Sequence, residues 1–512
     1  MELFQEVEVF KKFLIAAMST FAASALANPI NVISVDGCFL PKEFDLLKGK
    51  EVNVDLITSG HPALEYLFSP KVCIDNFTEA VKPDGKLIKL KAHFIGDKMA
   101  DDQYVTEVVE KIKQKRGQVD LVFSVNADRA TLTAQHIREY LGLKVSPSKW
   151  NIEHKDAFYD KYVMKTILTK NDQKVKTSEF IDFNSPKEDL NNFLEKINFP
   201  ENAAIIKKKR SAGAVGITVV KNRNELKAAK KQIKDPDNYL IERFIVGTSF
   251  RFNGTVSNDT ITNHVRAYHR TSPLEHYQGG KPRITTTIDE DEISLESSLD
   301  FTARVLKALG MHSGTYHLEG IHSKEDGQLY FVEVAARPGE GNVEVAFAEL
   351  YGYQAKRAFY FQQTPNRYYT PEEELKHYGE TITPAKPETK EVFAVIAYPF
   401  VDANKSTFQK VKTNMGSDLK NGSEDLPSLI SCSFDPIFDN INEKVLANKG
   451  KNITRMAFLA GIKAVACTFK GEREQVEKDL ASFQAKYYFK SKQNRRYMNT
   501  LVPRFLMKAG GL

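Results

Sequence analysis

At 512 residues the chain is longer than one hydrophobic core can serve, so roughly two to four domains are expected. Apolar residues at 42% and charged residues at 27% exclude a disordered or fibrous polymer and place it among ordinary globular proteins. A formal net charge of +6 is small for this length, and it gives no ground for a nucleic-acid or acidic-membrane partner across the whole surface.

The chain opens on an ambiguous segment. Lys11 and Lys12 precede an apolar run over 13–27 that ends Ala25-Leu26-Ala27, the pattern of a secretory leader. Glu2, Glu6 and Glu8 make the same segment acidic, which suits an amphipathic or buried helix instead. No other apolar run approaches the roughly 18–20 residues of a membrane span, so none is expected. From 30 to 148, short apolar runs alternate with helical spacing. Strands are predicted over 30–35, 52–57, 88–94 and 121–125, with helices over 104–113 and 127–141, the latter stopped by Gly142. That rhythm predicts an open parallel sheet with crossover helices. The turn after the first strand is Asp36-Gly37-Cys38, without a glycine-rich dinucleotide fingerprint, so no nucleotide is expected in this part.

Beyond Trp150 the pattern changes. A helix is predicted over 157–168, and strands over 204–208, 216–220 and 239–244. A polar stretch over 268–292, rich in Gly, Pro and Thr, reads as loop. A helix over 294–309 stops at Gly310, and strands over 313–321 and 328–334 flank a turn. Four prolines over 364–390 mark a linker; strands over 392–398 and 463–468 and a helix over 472–484 then suggest a small α+β domain. The expected division is therefore 1–27 leader or helix, 28–149 N-terminal α/β domain, 150–365 central domain, 366–390 linker and 391–512 C-terminal domain. Cys38, Cys73, Cys432 and Cys467 sit in mostly apolar stretches without metal-ligand spacing, and are expected to be buried free thiols. Lys486, Lys490, Lys492, Arg495, Arg496, Arg504 and Lys508 cluster near the end, as a solvated helix face or a polyanion-binding tail.

The residues that carry chemistry lie in the central part. Over 205–217, IIKKKRSAGAVGI, a strand ends in cations and runs into a loop with Ser211, Gly213 and Gly216. Glycines let backbone N–H groups approach phosphate oxygens, and a lysine adds a point charge. Next, YLIERFIV holds Glu242; backbone groups of Arg243 and Ile245 are suited to the edge of an adenine ring. Glu319 and Glu333 each sit in an apolar run, YHLEGI and YFVEVAA, on strands expected to pair as a hairpin. A buried carboxylate is costly unless it is paired or bound to a metal, and hard oxygens plus nucleotide phosphates suit Mg²⁺. Arg337 follows, before Pro338-Gly339-Glu340-Gly341, where a guanidinium can clamp a phosphoryl or carboxylate group. In the loop-like insertion and around it, Arg266, His269, Arg270 and Arg283 are cations for a substrate carboxylate or for solvent, and His317 stands two residues before Glu319.

This order of motifs resembles the ATP-grasp superfamily, and within it the carboxylate–amine ligases that act on amino acids. The resemblance covers about 159–351. Asp160-Lys161 resembles the family's DK, whose lysine reaches ATP phosphates. The segment 207–217 resembles its K-P-x-x-x-x-G-S-x-G-V loop, with Lys207 as the second phosphate lysine. Glu242 to Gly247 resembles the hinge strand, Glu319 and Glu333 the metal pair, and Arg337 with the following glycines, Gly339 among them, the E-x-N-x-R-x-G-G segment. Four positions depart from the family pattern: Lys208 for proline, Ala214 for serine, Ser249 at the ribose-binding glutamate and Ala335 at the usual asparagine.

The resemblance implies an α/β (α+β) ATP-grasp architecture: an open parallel N-terminal domain, a central pair of ATP-grasp subdomains and a small C-terminal domain. It implies ATP and Mg²⁺, or Mn²⁺, as cofactors, and small-molecule carboxylate and amine substrates, one of them an amino acid. The implied reaction is amide formation through an acyl phosphate, with ADP and phosphate released. Lys161, Lys207, Ser211, Gly213, Gly216, Glu242, Arg243, Ile245 and Ser249 would meet ATP. Glu319 and Glu333 would hold metal, Arg337 would be catalytic, and Arg266, Arg270, His317 and Gly339 would meet substrate. No nucleic-acid partner is expected; a homodimer is compatible with the sequence, which does not fix the oligomeric state. ATP use favours the cytosol, with export as the alternative because of the leader-like start. Two other functions stay open: a biotin-carboxylase-like or nucleotide-biosynthesis ATP-grasp enzyme, and a regulatory nucleotide-binding module, suggested by Ser249 and Ala335.

Overall fold

The structure, a computed structural model, describes residues 29–37, 45–59, 70–124, 128–211, 216–272, 274–276, 281–339, 343–365, 368, 391–399, 425–434 and 463–486. The leader-like segment, Cys38, Gly213, Glu340, Gly341, all but Tyr368 of the linker and the basic residues beyond Lys486 lie outside these. Contacts divide the chain into two units, 1–125 with 133–144, and 126–132 with 145–512. No helix among the described residues is long and apolar enough to cross a membrane.

The first unit holds β1 (Ile30–Val35), β2 (Glu51–Thr58), α1 (Pro70–Val81), β3 (Lys86–Phe94), α2 (Asp102–Arg116) and β4 (Leu121–Ser124), while α3 (Asp128–Tyr140) contributes residues to both units. Its sheet is parallel, in the order β3-β2-β1-β4. Val32 to Val35 are all buried, as a parallel strand covered on both faces requires. Helix α2 starts where the Asp101 side chain accepts from the Tyr104 N–H and buries Val105, Val108, Val109 and Ile112, one stripe at helical spacing.

The second unit begins with β5 (Asn151–Ile152), α4 (Lys161–Lys170), β6 (Phe180–Asp182), α5 (Lys187–Lys196), β7 (Ala204–Lys208), β8 (Thr218–Val220), α6 (Arg223–Gln232) and β9 (Tyr239–Arg243). Strands β6-β9-β7-β8 form an antiparallel sheet, whose core packs Phe183, Leu190, Leu194, Ile206, Leu226 and Ile241. The helix expected over 157–168 starts later. A 3-10 turn at Lys155–Phe158 precedes it, and Asp160 caps it by accepting from Tyr162 and Val163 N–H groups, so Lys161 is its first residue.

The larger sheet then takes β10 (Gly247–Ser257), β11 (Thr260–His269), β12 (Arg283–Thr287), α7 (Leu295–Ala308), β13 (Met311–Ser323), β14 (Leu329–Ala335), α8 (Val343–Tyr351), α9 (Ala355–Gln362), β15 (Val392–Pro399), β16 (Leu429–Phe434), β17 (Lys463–Gly471) and α10 (Arg473–Lys486). Its order is β14-β13-β10-β11-β12-β15-β17-β16, with β5 paired to β13. The insertion expected to be loop contains β12, which pairs with β11 on one side and β15 on the other. Its Ile-Thr-Thr-Thr run has β-branched residues suited to a strand once flanking strands supply partners. The β10–β11 hairpin, absent from the sequence expectations, turns at Asn258-Asp259, both at positive φ. Two consecutive left-handed residues are what a tight hairpin turn demands, and Asn and Asp tolerate them.

The thiol expectation is overturned. Cys432 and Cys467 stand opposite each other across β16 and β17 and form a disulfide. Cys73 is disulfide-bonded as well. The Cys432–Cys467 pair is 35 residues apart in sequence, and only the strand register brings its Cα atoms to 4.0 Å.

Beneath the larger sheet, His264 is buried between Phe252 and Tyr316, with Nδ1 2.8 Å from the Tyr316 hydroxyl and Nε2 3.0 Å from Ser298 Oγ. Burial pushes its pKa down to about 3, and Arg266 adds to the shift. The folded state thus holds the ring neutral while the unfolded chain protonates it near its ordinary 6.5. This contribution to stability is full above about pH 6.5 and should fall as pH drops from there towards 3. Urea unfolding across that window should show a shallower loss in His264→Gln than in the parent protein.

Candidate active site

The site is built where the two sheets of the second unit carry charged side chains into one cavity of about 350 Å³. Lys161, Lys207, Ser211, Ile245, Ser249, His317, Glu319, Glu333 and Arg337 all line it. Two lysines, two glutamates and an arginine that are spread over 177 positions (161 to 337) thus share one enclosure.

Lys161 opens α4 and is 7% exposed. Its Nζ lies 2.8 Å from Glu333 Oε2 and donates to the Ser211 carbonyl at 2.5 Å. Burial disfavours the ammonium, but Glu333 outweighs it and the pKa is raised. Lys207, near the end of β7, lies 3.1 Å from Glu242 Oε2 on the neighbouring β9. The Ser178 hydroxyl donates to the same oxygen at 2.9 Å, and Lys165 Nζ is 3.5 Å away. Glu242 is 2% exposed; burial pushes its pKa up, but Lys165 and Lys207 hold it below the usual range. Lys165 is fully buried and is pushed down to about 8, by burial first, with Glu242 opposing.

Glu319 and Glu333 stand directly opposite in the β13–β14 ladder, beside a register shift. Like charges opposite each other destabilise a strand pair unless cations lie close. Lys161 serves Glu333, while His317 Nε2 lies 3.0 Å from Glu319 Oε1. Burial pushes Glu319 up, yet the hydrogen bond with His317 and the charge of Arg251 hold it well below the usual carboxylate range. Glu319 is therefore ionised at neutral pH. Arg337 donates through Nε to Asp128 and through Nη1 to the Pro338 carbonyl at 2.9 Å. Gly339 does not line the cavity, but it packs behind the floor: a Cβ there would meet Asn253 Oδ1 at 2.5 Å and His317 Nδ1 at 3.0 Å.

Other candidates lie elsewhere. Gly216, Glu242 and Arg243 are not among the lining residues, and Gly213 is outside the described chain. The Arg243 N–H donates to the Glu179 carbonyl and its guanidinium to Glu179 and Glu325, so neither faces an adenine. Arg266 is held by Glu290 and the Ile293 carbonyl, and Arg270 by Glu477; neither lines the cavity. The sequence reading missed Lys165, Arg251 and Asp128. Lys165 lies four residues after Lys161, on the same helix face, and Arg251 lies two after Ser249, on the same strand face. Asp128, on another helix, carries no such signal.

Among the described residues no group of three or more His, Cys, Asp or Glu is arranged to hold a metal. Two opposed carboxylates fit Mg²⁺ all the same, because that ion keeps water and phosphate oxygens in its shell.

No family model and no curated protein matches the sequence. Solved structures do match. L-amino acid ligase from Bacillus licheniformis is 14% identical, with 90% of this chain and 98% of that one covered and a TM-score of 0.53. Carboxyaminoimidazole ribonucleotide synthase from Aspergillus clavatus, complexed with ATP, is 10% identical, with 89% and 97% covered and a TM-score of 0.54. Phosphoribosylglycinamide synthetase from Anaerococcus prevotii is 13% identical, with 90% and 98% covered and a TM-score of 0.52. This is the ATP-grasp fold. The α/β class and the ATP-grasp architecture expected from the motifs are both present. Within an ATP-grasp fold, the cavity above is enclosed by the smaller sheet on one side and the larger sheet on the other.

Proposed function

We propose that this cavity binds MgATP and that the protein is a ligase joining a carboxylic acid to an amine, with an amino acid on one side. The observation that carries the reading is the convergence of Lys161, Lys207, Glu319 and Glu333 on one enclosure. Structures of the same fold include an L-amino acid ligase and a synthase complexed with ATP, which agrees with it. In the same reading, 150–365 is the nucleotide-binding part of the chain.

The chemistry follows from charge. A substrate carboxylate oxygen attacks the γ-phosphorus of ATP and ADP leaves; an amine nitrogen then attacks the acyl carbon, loses a proton, and phosphate leaves. The protein contributes position and neutralisation. Lys161 and Lys207 sit to hold the phosphates once they exchange Glu333 and Glu242 for them. Glu319 and Glu333 would hold Mg²⁺, which offsets charge between the phosphates. Arg337, oriented by Asp128 and lining the same cavity, would meet the reacting carboxyl and stabilise the oxyanion. Ser249, which lines the cavity, offers one hydroxyl where a glutamate would meet ribose, so a weak preference between ATP and 2′-deoxy-ATP is expected.

The test is a screen of pooled acids and amines for ADP release, with mass spectrometry of the product. ADP release that needs both an acid and an amine, with a product at their summed mass less water, supports the proposal. ATP binding without acid-dependent ADP release would leave only a nucleotide-binding module. A carboxylated product would mark the carboxylase-like alternative.

A further inference from the structure

Cations that line the cavity are matched by partners. Lys161 meets Glu333, Lys207 meets Glu242 and Arg337 meets Asp128. Arg251, 2% exposed and opposite Glu319 in the ladder, is engaged too. Among the described residues Arg283 is the one lining cation with no hydrogen bond or ion pair. It opens β12 and is half-buried.

The surroundings of Arg283 are polar and incompletely satisfied. Thr285, two residues on and therefore on the same face, meets His269 Nδ1 at 3.0 Å. His269 Nε2 is buried without a partner, as is Asn253 Nδ2. Burial pushes His269 well down, and the charges of Arg251 and Arg283 add to the shift, so the ring is neutral and offers no counter-charge. A half-buried guanidinium without a partner favours an anion, for which its fork is a two-point match.

The triphosphate is a poor candidate for that anion. Its lysines stand on α4 and β7, and the carboxylate pair on β13 and β14. Strand β12 lies three strands from β13, which is roughly 14 Å across the sheet at ordinary strand spacing. On that spacing Arg283 is placed to meet a part of the ligand away from the carboxylate pair.

We propose that Arg283 selects the acid substrate, and that this substrate carries a second anionic group, carboxylate or phosphate, away from the carboxyl that reacts. This rests on the ligase reading of the same cavity. The experiment compares ADP release on matched acids: dicarboxylic amino acids against their side-chain amides, and phosphorylated hydroxy acids against unphosphorylated ones. The two pairs separate the two sources of charge. The doubly anionic member of one pair should exceed its neutral counterpart by roughly 10- to 100-fold in kcat/KM, as expected for one charge-assisted contact. Arg283→Gln should remove most of that advantage, mainly through KM for the acid, and Arg283→Lys should restore part of it. Equal turnover of charged and neutral acids by the parent protein would overturn the inference, as would a loss in Arg283→Gln that falls alike on both. If Arg283→Gln fails to bind ATP in a nucleotide titration, the parent protein's preference decides alone. Turnover of neutral acids only would overturn this inference and leave the ligase reading standing; no ADP release with any acid would overturn both.

Discussion

Glu319→Gln and Glu333→Gln should each lower acid-dependent ADP release by roughly 10²- to 10³-fold, the scale of losing one electrostatic contact to a developing charge. Each substitution keeps shape and removes one negative charge from a pair held face to face in the β13–β14 ladder. The two variants should differ in a second way. Glu333 is the ionic partner of the buried Lys161, so Glu333→Gln leaves that ammonium with the Ser211 carbonyl as its remaining partner. Glu319 is hydrogen-bonded to His317, whose pKa burial holds below its ordinary value, so Glu319→Gln strands no buried cation there. Glu333→Gln should therefore also weaken ATP binding without Mg²⁺ less than with it, because Lys161 is then released towards phosphate. Isothermal titration with ATP in the presence and absence of Mg²⁺ checks this. Unchanged turnover in both variants would remove the metal assignment.

Glu242→Ala should cost about 3–5 kcal/mol of stability, the range for removing one partner of a buried ion pair. Glu242 sits between two lysines, Lys165 with no exposed side chain and Lys207 at 9%. Removing the carboxylate leaves two ammonium groups buried together with only the Ser178 hydroxyl and the Phe331 carbonyl to serve Lys165. The double variant Glu242→Leu with Lys165→Met should recover much of the loss, since apolar replacement of a whole buried pair is often neutral. Chemical denaturation measures both. The carboxylate's folded pKa is depressed, so its contribution is present above its ordinary value of 4.5 and lost as pH falls through the lower folded value. A change below about 1 kcal/mol in Glu242→Ala would mean the cluster is solvated rather than buried.

Local order was legible where neighbours in sequence are neighbours in space. The parallel strands of the first unit, the helix capped by Ser294 and stopped near Gly310, and the β13–β14 hairpin all follow from apolar spacing and turn residues. Glu319 and Glu333 could be paired for the same reason, since a tight hairpin sets its own register. Strand β12 and β16 were not legible, because their short runs become strands only when distant partners, β11, β15 and β17, supply hydrogen bonds. The Asn258-Asp259 pair that joins β10 to β11 is a local turn signal, with both residues at positive φ.

For the site, residue type and order were enough to single out Lys161, Lys207, Glu319, Glu333 and Arg337 as charges in apolar settings, and all five line one cavity. What only the tertiary structure decided is which charges are already spent. Arg243, Arg266 and Arg270 look equivalent to Arg283 along the chain, yet the first three are tied to carboxylates and Arg283 is not. Likewise Cys432 and Cys467 read as two separate thiols until the β16–β17 register set them opposite each other. Periodicity reports which side of an element is apolar; the partner of a charge or a thiol depends on long-range packing, which local sequence does not encode.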